Sequence, residues 1–539
     1  MSNNGAQSLC VRKLQSGCAL LLLLLIPFSS SAGGVTLITH GFSGNVNGWI
    51  SGMAGALARS PHFPGTNYTT YTIILTTDGT NYFYQWSRTN SSPSLTDSGE
   101  IIVKLDWSQM AGGFGSGNYN LSTYVVANIA SFVLLQTNAI ADLGGHALAE
   151  FPLHLIGHSR GGSLVSELSR RLGTNGVWVD HLTALDPHPV NNDGNSENSF
   201  PIDASASNTC ATVLFCDDYW QHLNEFLTPN GEAVAGAYGR QLTTLSGGYS
   251  GIAGSHSDVH LWYHGTIDWN TPASDSEATI TSSERQNWWV SYEQRGTNTG
   301  FLYGLIGGGN RLSFDQPLGP GTRAIRDGYN QMWDLGAGTS NNRAALATNN
   351  GSWPSLIKFN RTDVNKIAYG QALGVKFYYQ WARPAASNAL VTFYLDDDQN
   401  PLNSNGQFIG QLTVPGTSTG VNSATTAFSI YPANTTLGTH TLLALMTAGG
   451  RTRYLYAPES VQVIASEQPP TLDITQLTTS QFRLEVHGQS GQTLVIQAAP
   501  DLANWQSIAT NTLSSNTWFL TNSQPSAVTR LFYRARLNN

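Results

Sequence analysis

One stretch constrains the fold of this chain more than any other: LHLIGHSRGGSLVSELSRRL, residues 153–172. Leu153–Ile156 is an apolar run of strand length, a glycine-rich turn follows at once, and Ser163–Leu172 is amphipathic with helical spacing. A buried strand that feeds straight into such a helix predicts a parallel sheet flanked by helices. Neighbouring segments fit that plan. Val35–Thr39 (VTLIT), Glu100–Leu105 (EIIVKL), Val177–Leu185 and Cys210–Cys216 read as strands, Leu121–Leu143 as a long helix and Thr279–Gln294 as a late one. The fold class expected over residues 33–305 is therefore α/β.

From about residue 306 the pattern changes. Gly307-Gly308-Gly309 opens a Gly/Pro/Asn-rich region without helical periodicity, and 306–365 is expected as an irregular connection. Over 366–466 short β runs recur at regular spacing, such as Val375–Tyr379, Leu390–Leu395, Ala427–Ile430 and Leu442–Met446. They predict a sandwich of immunoglobulin-like kind. Glu467-Gln468-Pro469-Pro470 marks a linker, and 471–539 reads as a final β module. These C-terminal all-β modules are candidates for binding carbohydrate, a cell surface or protein.

The first 32 residues carry a secretory pattern. Arg12 and Lys13 precede an apolar run over Ala19–Pro27 that is too short to span a bilayer, and Ser30 and Ala32 fit a small-residue cleavage site. A cleavable signal peptide (1–32) and a secreted mature chain are expected, with no integral membrane segment. Cys10 and Cys18 would leave with it, and the remaining pair, Cys210 and Cys216, is expected to form a disulfide in an oxidising compartment. Charged residues make up only 11% of the chain, against about 25% in ordinary soluble proteins. The net charge is −8 with no long Lys/Arg run, so a nucleic-acid partner is not expected.

Chemistry concentrates around Gly157-His158-Ser159-Arg160-Gly161. This G-x-S-x-G run stands between a strand and a helix, where a cramped turn would push a serine hydroxyl out above the sheet edge. A serine needs a base, and the base needs an orienting acid. Asp186, at the end of a strand and just before Pro187, is the expected acid, with Asp217 and Asp218 as alternatives. The base is sought among His256, His260 and His264. His256 follows Gly254-Ser255, read as a flexible loop, with Ser257 and Asp258 capping a helix beyond it, and is favoured. The i, i+4 spacing of the three also fits a metal site, although no H-E-x-x-H pattern accompanies it. Oxyanion donors are expected from the backbone N–H of Arg160 and from the loop His40-Gly41-Phe42, after an early strand.

HGF (40–42), LDWS (105–108), LIGHSRGG (155–162) and ALDPHP (184–189), in that order, resemble the pancreatic-lipase-like branch of the α/β-hydrolases over roughly 35–270. The resemblance implies Ser159 as nucleophile, Asp186 as acid, and the Phe42 and Arg160 amides as oxyanion hole. Two departures stand out: the family's elbow usually has Leu where this chain has Arg160, and the disulfide-rich lid of the animal enzymes has no counterpart. The implied activity is hydrolysis of carboxylic esters, with an ester or lipid substrate. An amidase or peptidase with the same triad, and an adhesion protein with a degenerate hydrolase domain, are the alternatives. No cofactor is required by this chemistry. Asn191–Glu197 and Asp396–Asn400 are oxygen-rich enough to hold Ca²⁺, but the first reads better as a solvated loop and the second lacks EF-hand spacing.

Overall fold

The structure is a computed structural model. It describes residues 34–58, 67–89, 94–95, 98–113, 118–192, 200–206, 212–221, 231–234, 237–243, 245, 247–267, 278, 288, 300–301, 353–361, 365–382, 387–398, 400–416, 421–465, 469–523 and 530–538. Residues 1–33, Cys210 and all of 302–352 fall outside that set, so the signal peptide, the disulfide and most of the connection do too. The expected helix over 279–294 also lies outside it, apart from Trp288.

The first half of the chain builds one eight-stranded sheet. Its strands are β1 (Val35–Thr39), β2 (Asn67–Thr77), β3 (Tyr82–Arg88), β4 (Ser98–Asp106), β5 (Leu153–His158), β6 (Val179–Leu185), β7 (Val213–Trp220) and β8 (Tyr238–Gln241). They lie in the order β3-β2-β4-β1-β5-β6-β7-β8. Only the β2–β3 hairpin is antiparallel, and every other neighbouring pair is parallel. Both faces are covered, as parallel strands require. Leu37 and Leu155 point into the core shared with helices α2 (Thr123–Leu135) and α3 (Arg160–Thr174), while Ile38 and Ile156 point into the core shared with α1 (Trp49–Leu57) and α4 (Gly254–His264). The two-residue alternation of a strand thus splits VTLIT between two hydrophobic layers.

Some elements differ from the sequence reading. The helix expected over Leu121–Leu143 stops at Leu135, because Gln136 turns extended at φ −89°, ψ 124°, and a separate 3-10 turn covers Ala141–Leu143. Ala139, Ile140 and Leu143 are buried all the same, so their apolar spacing reflects a shared core rather than one continuous helix. The strand read at Cys210–Cys216 is shifted to Val213–Trp220, and β2, β3 and α1 were not legible as elements.

A two-sheet sandwich follows. Strands Lys366–Ala368, Arg451–Ile464, Gly438–Ala448, Asn388–Asp396 and Gln407–Pro415 form one sheet, and Asn422–Ser429, Ala372–Gln380 and Ser355–Arg361 the other. The sandwich therefore begins at Ser355 and not at 366, since Ser355–Arg361 pairs along Ala372–Gln380. It is also not a separate bead. Trp353, Leu443, Tyr454 and Tyr456 share the core of the eight-stranded sheet. Arg453, fully buried, donates to Asp180 Oδ2 at 2.6 Å, to Trp178 O at 3.0 Å and to Ala149 O at 3.2 Å, with a further bond to Phe151 O. This binds the sandwich to the amino ends of β5 and β6. The last module packs strands from 471–537 as two three-stranded sheets around Leu484, Val486, Leu494 and Ile496.

Candidate active site

Ser159 ends β5 and starts α3, at φ 58° and ψ −128°. A non-glycine residue held at such angles costs about 1–3 kcal/mol and persists only where its surroundings enforce it. Here the glycines on either side do so. A Cβ at Gly157 would lie 2.1 Å from Gly161 O, and a Cβ at Gly161 would lie 2.6 Å from His40 O. Strand and helix can approach this closely only with hydrogen at both positions, and the serine between them takes up the turn. Ser159 N donates to Leu185 O at 3.0 Å and His188 N donates to Ser159 O at 3.1 Å, which ties the turn to the end of β6.

The same end of β6 supplies Asp186, also at positive φ (43°) and fully buried. Its backbone N–H donates to Tyr219 O at 2.7 Å, beside β7. Its carboxylate accepts from Gln221 N at 2.9 Å and Gln221 Nε2 at 2.8 Å, and Oδ2 meets His256 Nδ1 at 2.5 Å. Burial pushes the Asp186 carboxyl up to about 7, while the two Gln221 bonds pull it down. Because a carboxylate oxygen only accepts, Nδ1 of His256 carries the proton of that bond and Nε2 is left as the basic nitrogen. Gln221 was not singled out by the sequence; as the residue just past the end of β7 it has a strand-edge position but no motif.

His256 stands in the first turn of α4 rather than on a flexible loop before it. The helix starts earlier than expected because Ala253 takes the left-handed conformation (φ 65°) and turns the chain into it. No side chain caps this helix; Asp258, expected as a cap, accepts instead from Tyr249 N at 2.7 Å. His260, one turn on, stacks on Trp49 at 4.4 Å, and burial holds its imidazole well below the ordinary range. His264 is buried in the last turn. Among the described residues no three His, Cys, Asp or Glu side chains group as a metal site. Of the alternative acids, Asp217 accepts from Thr183 Oγ1 (2.6 Å) and Tyr219 OH (3.0 Å) and faces His181 (2.9 Å), while Asp218 accepts from Val234 N at 2.7 Å.

The loop after β1 lies against the elbow. A Cβ on Gly41 would stand 2.6 Å from Ser159 Cβ and 3.0 Å from Arg160 N, so the backbone leading to Phe42 runs directly over the start of α3. Trp107, after β4, anchors that loop: its indole donates to His40 O at 2.9 Å and its ring stacks on His40 at 5.7 Å. Arg160 is fully buried and points away from solvent. Its guanidinium pairs in a fork with Asp203 (Nε–Oδ2 2.7 Å, Nη2–Oδ1 2.8 Å) and donates to Ala111 O, Asn120 Oδ1 and Leu121 O at 2.8–3.0 Å. Five N–H donors are thereby used to hold two connections, the one between β4 and α2 and the one after β6, around the elbow. The sequence marked Arg160 only through its backbone, and nothing in it marked Asp203.

The calcium candidates are engaged otherwise where they are described. Asn191 and Asn192 donate their side-chain amides to Phe200 O and Asp203 O, and residues 193–199 lie outside the described set. Asp396 accepts from Tyr456, Asp397 meets His440, and Asp398 accepts from Asn403 and Asn405.

Five neighbouring strand ends thus converge at one edge: His40 after β1, Trp107 after β4, Ser159 after β5, Asp186 after β6 and Gln221 after β7. Ligands of open parallel sheets bind outside this carboxyl edge. No helix among the described residues is long and apolar enough to cross a membrane. No known protein family matches the chain, and no curated protein does. Among solved structures, a variant of superoxide reductase (neelaredoxin) from Ignicoccus hospitalis is 13% identical over 20% of this chain and 78% of its own, with a TM-score of 0.15. A two-domain fibronectin type III segment from chicken tenascin is 7% identical over 34% of this chain and 98% of its own, with a TM-score of 0.20. Similarities so slight carry no argument about fold or function, and the site has to be read from its own geometry.

Proposed function

We propose that this chain is an exported serine hydrolase of the α/β-hydrolase type that cleaves carboxylic esters. One observation carries the proposal: a strained serine between a strand and a helix shares a sheet edge with a histidine whose Nδ1 lies 2.5 Å from a buried carboxylate. Ser159 Oγ attacks the ester carbonyl as His256 Nε2 takes its proton, and Asp186 stabilises the imidazolium. The backbone N–H groups of Phe42 and Arg160 meet the oxyanion. The alcohol leaves with the proton from His256. Water, deprotonated by the same nitrogen, then releases the acid from the acyl-enzyme.

The test is hydrolysis of short- and long-chain esters and matched amides by the full chain, with Ser159→Ala as control. Turnover of esters that vanishes in the variant, with an organophosphonate labelling Ser159 alone, supports the proposal. A preference for the amides would favour the amidase reading. Absence of turnover and of labelling would leave a binding protein built on this scaffold.

A further inference from the structure

The residue just before the elbow serine is itself an imidazole, and the triad does not use it. His158 is 7% exposed. Its Nε2 lies 2.9 Å from the carbonyl oxygen of His256, across 98 residues of sequence. A carbonyl oxygen only accepts, so His158 is the donor and Nε2 carries its proton. Its ring also packs against that of His256, with centroids 4.4 Å apart, and edge-on against His260 at 4.7 Å. Trp49 closes the cluster, edge-on to His158 at 5.8 Å and stacked on His260.

The base needs more than its acid to be held. The Asp186 contact holds one nitrogen of the imidazole. What fixes the other end is the backbone from which the side chain springs. We propose that His158 is a positioning residue for the base: its Nε2–H holds the His256 carbonyl and thereby sets where the His256 imidazole stands between Asp186 and Ser159. This rests on the hydrolase reading above. It also explains the setting of His158. A charged imidazole packed against the His256 ring would oppose the imidazolium that His256 becomes during the reaction. The aromatic surround prevents this, since burial pushes His158 down to about 3 and keeps it a neutral donor.

Two variants of the full chain separate this role from simple filling of space. His158→Phe keeps the flat ring and removes the donor, and His158→Gln restores an N–H donor. The Phe variant is expected to lose about 100-fold in kcat, the scale of a misplaced catalytic group, with KM within about twofold of wild type. Phosphonate labelling of Ser159 should slow by the same factor, and the Gln variant should recover at least about tenfold of the loss. A folded Phe variant with wild-type kcat, a loss confined to KM, or a Gln variant no better than Phe overturns the proposal. Should the variants not fold, ¹⁵N NMR of the wild-type imidazoles decides: His158 staying neutral with a bonded Nε2–H from pH 5 to 8 supports it, and titration in that range overturns it. A wild-type chain inert to esters and phosphonates refutes the hydrolase reading itself, and the proposal falls with it before any variant is made.

Discussion

The two ends of the eight-stranded sheet each hold a buried arginine paired with an aspartate, and they use it differently. At the carboxyl ends of the strands, Arg160 and Asp203 clamp loops around Ser159. At the amino ends, Arg453 and Asp180 clamp a second domain to the first. One pair orders loops around a serine at a strand end; the other closes a seam between segments 273 residues apart. Removing one partner of such a pair strands a buried charge and costs about 3–5 kcal/mol. The difference lies in what that cost reports: geometry around Ser159 at one end, and cohesion of the chain at the other.

The largest expected effect lies at the carboxyl end. Ser159→Ala should lower kcat by about 10⁴-fold or more with the melting temperature nearly unchanged, and His256→Ala should come close to it while His260→Ala loses much less. Comparable activity in the Ser159→Ala and wild-type proteins would dissolve the contrast between the two ends. The amino end should behave in the opposite way. Arg453→Met is expected to cost about 3 kcal/mol or more in urea unfolding, with kcat within about twofold at a permissive temperature. For the same reason a chain ending at 305, which loses Trp353 and Arg453, should be markedly less stable. A truncated chain that melted like the full one would show that the seam contributes nothing.

Acidity sharpens the comparison further. The proposed mechanism requires the Asp186 carboxylate, and burial pushes that group up to about 7, so kcat/KM should fall about tenfold per pH unit below that value. Stability runs the other way. Burial pushes Asp217 up to about 6 from an ordinary 3.8, so the folded chain holds that proton more tightly than the unfolded one. Its cost to folding is absent below about pH 4 and fully present above about pH 6, where it amounts to roughly 3 kcal/mol. Relative to wild type, Asp217→Asn should therefore gain thermal stability as the pH rises from 4 to 8; a difference that is flat with pH would refute the assignment. The smallest effect is expected from removing 469–539, whose core is its own: ester turnover should stay within about twofold, as expected of a separate module.

Much of the carboxyl end was legible because it is local. GHSRG between LHLI and an amphipathic run dictates an elbow through short-range sterics, and HGF and ALDP fall at ends of strands that are apolar runs. The supports were less visible. Gln221 and Asp203 carry no motif, and the elbow was read without any use for its own His158 or for the Arg160 side chain. Their partners come from loops whose path only the packed sheet defines.

What the sequence determined by itself was the α/β first half, the β-rich second half and the strained serine, because each follows from periodicity or from contacts within a few residues. Tertiary structure decided the rest. It brought one of three candidate acids and one of three candidate histidines together, placing Asp186 and His256 2.5 Å apart across 70 residues of chain. It also turned an apparent linker boundary into a shared core, since Arg453 and Trp353 find Asp180 and Asn175 only after both domains have formed their sheets. Long-range pairings of this kind depend on where strands end in space, and no spacing along the chain encodes that distance.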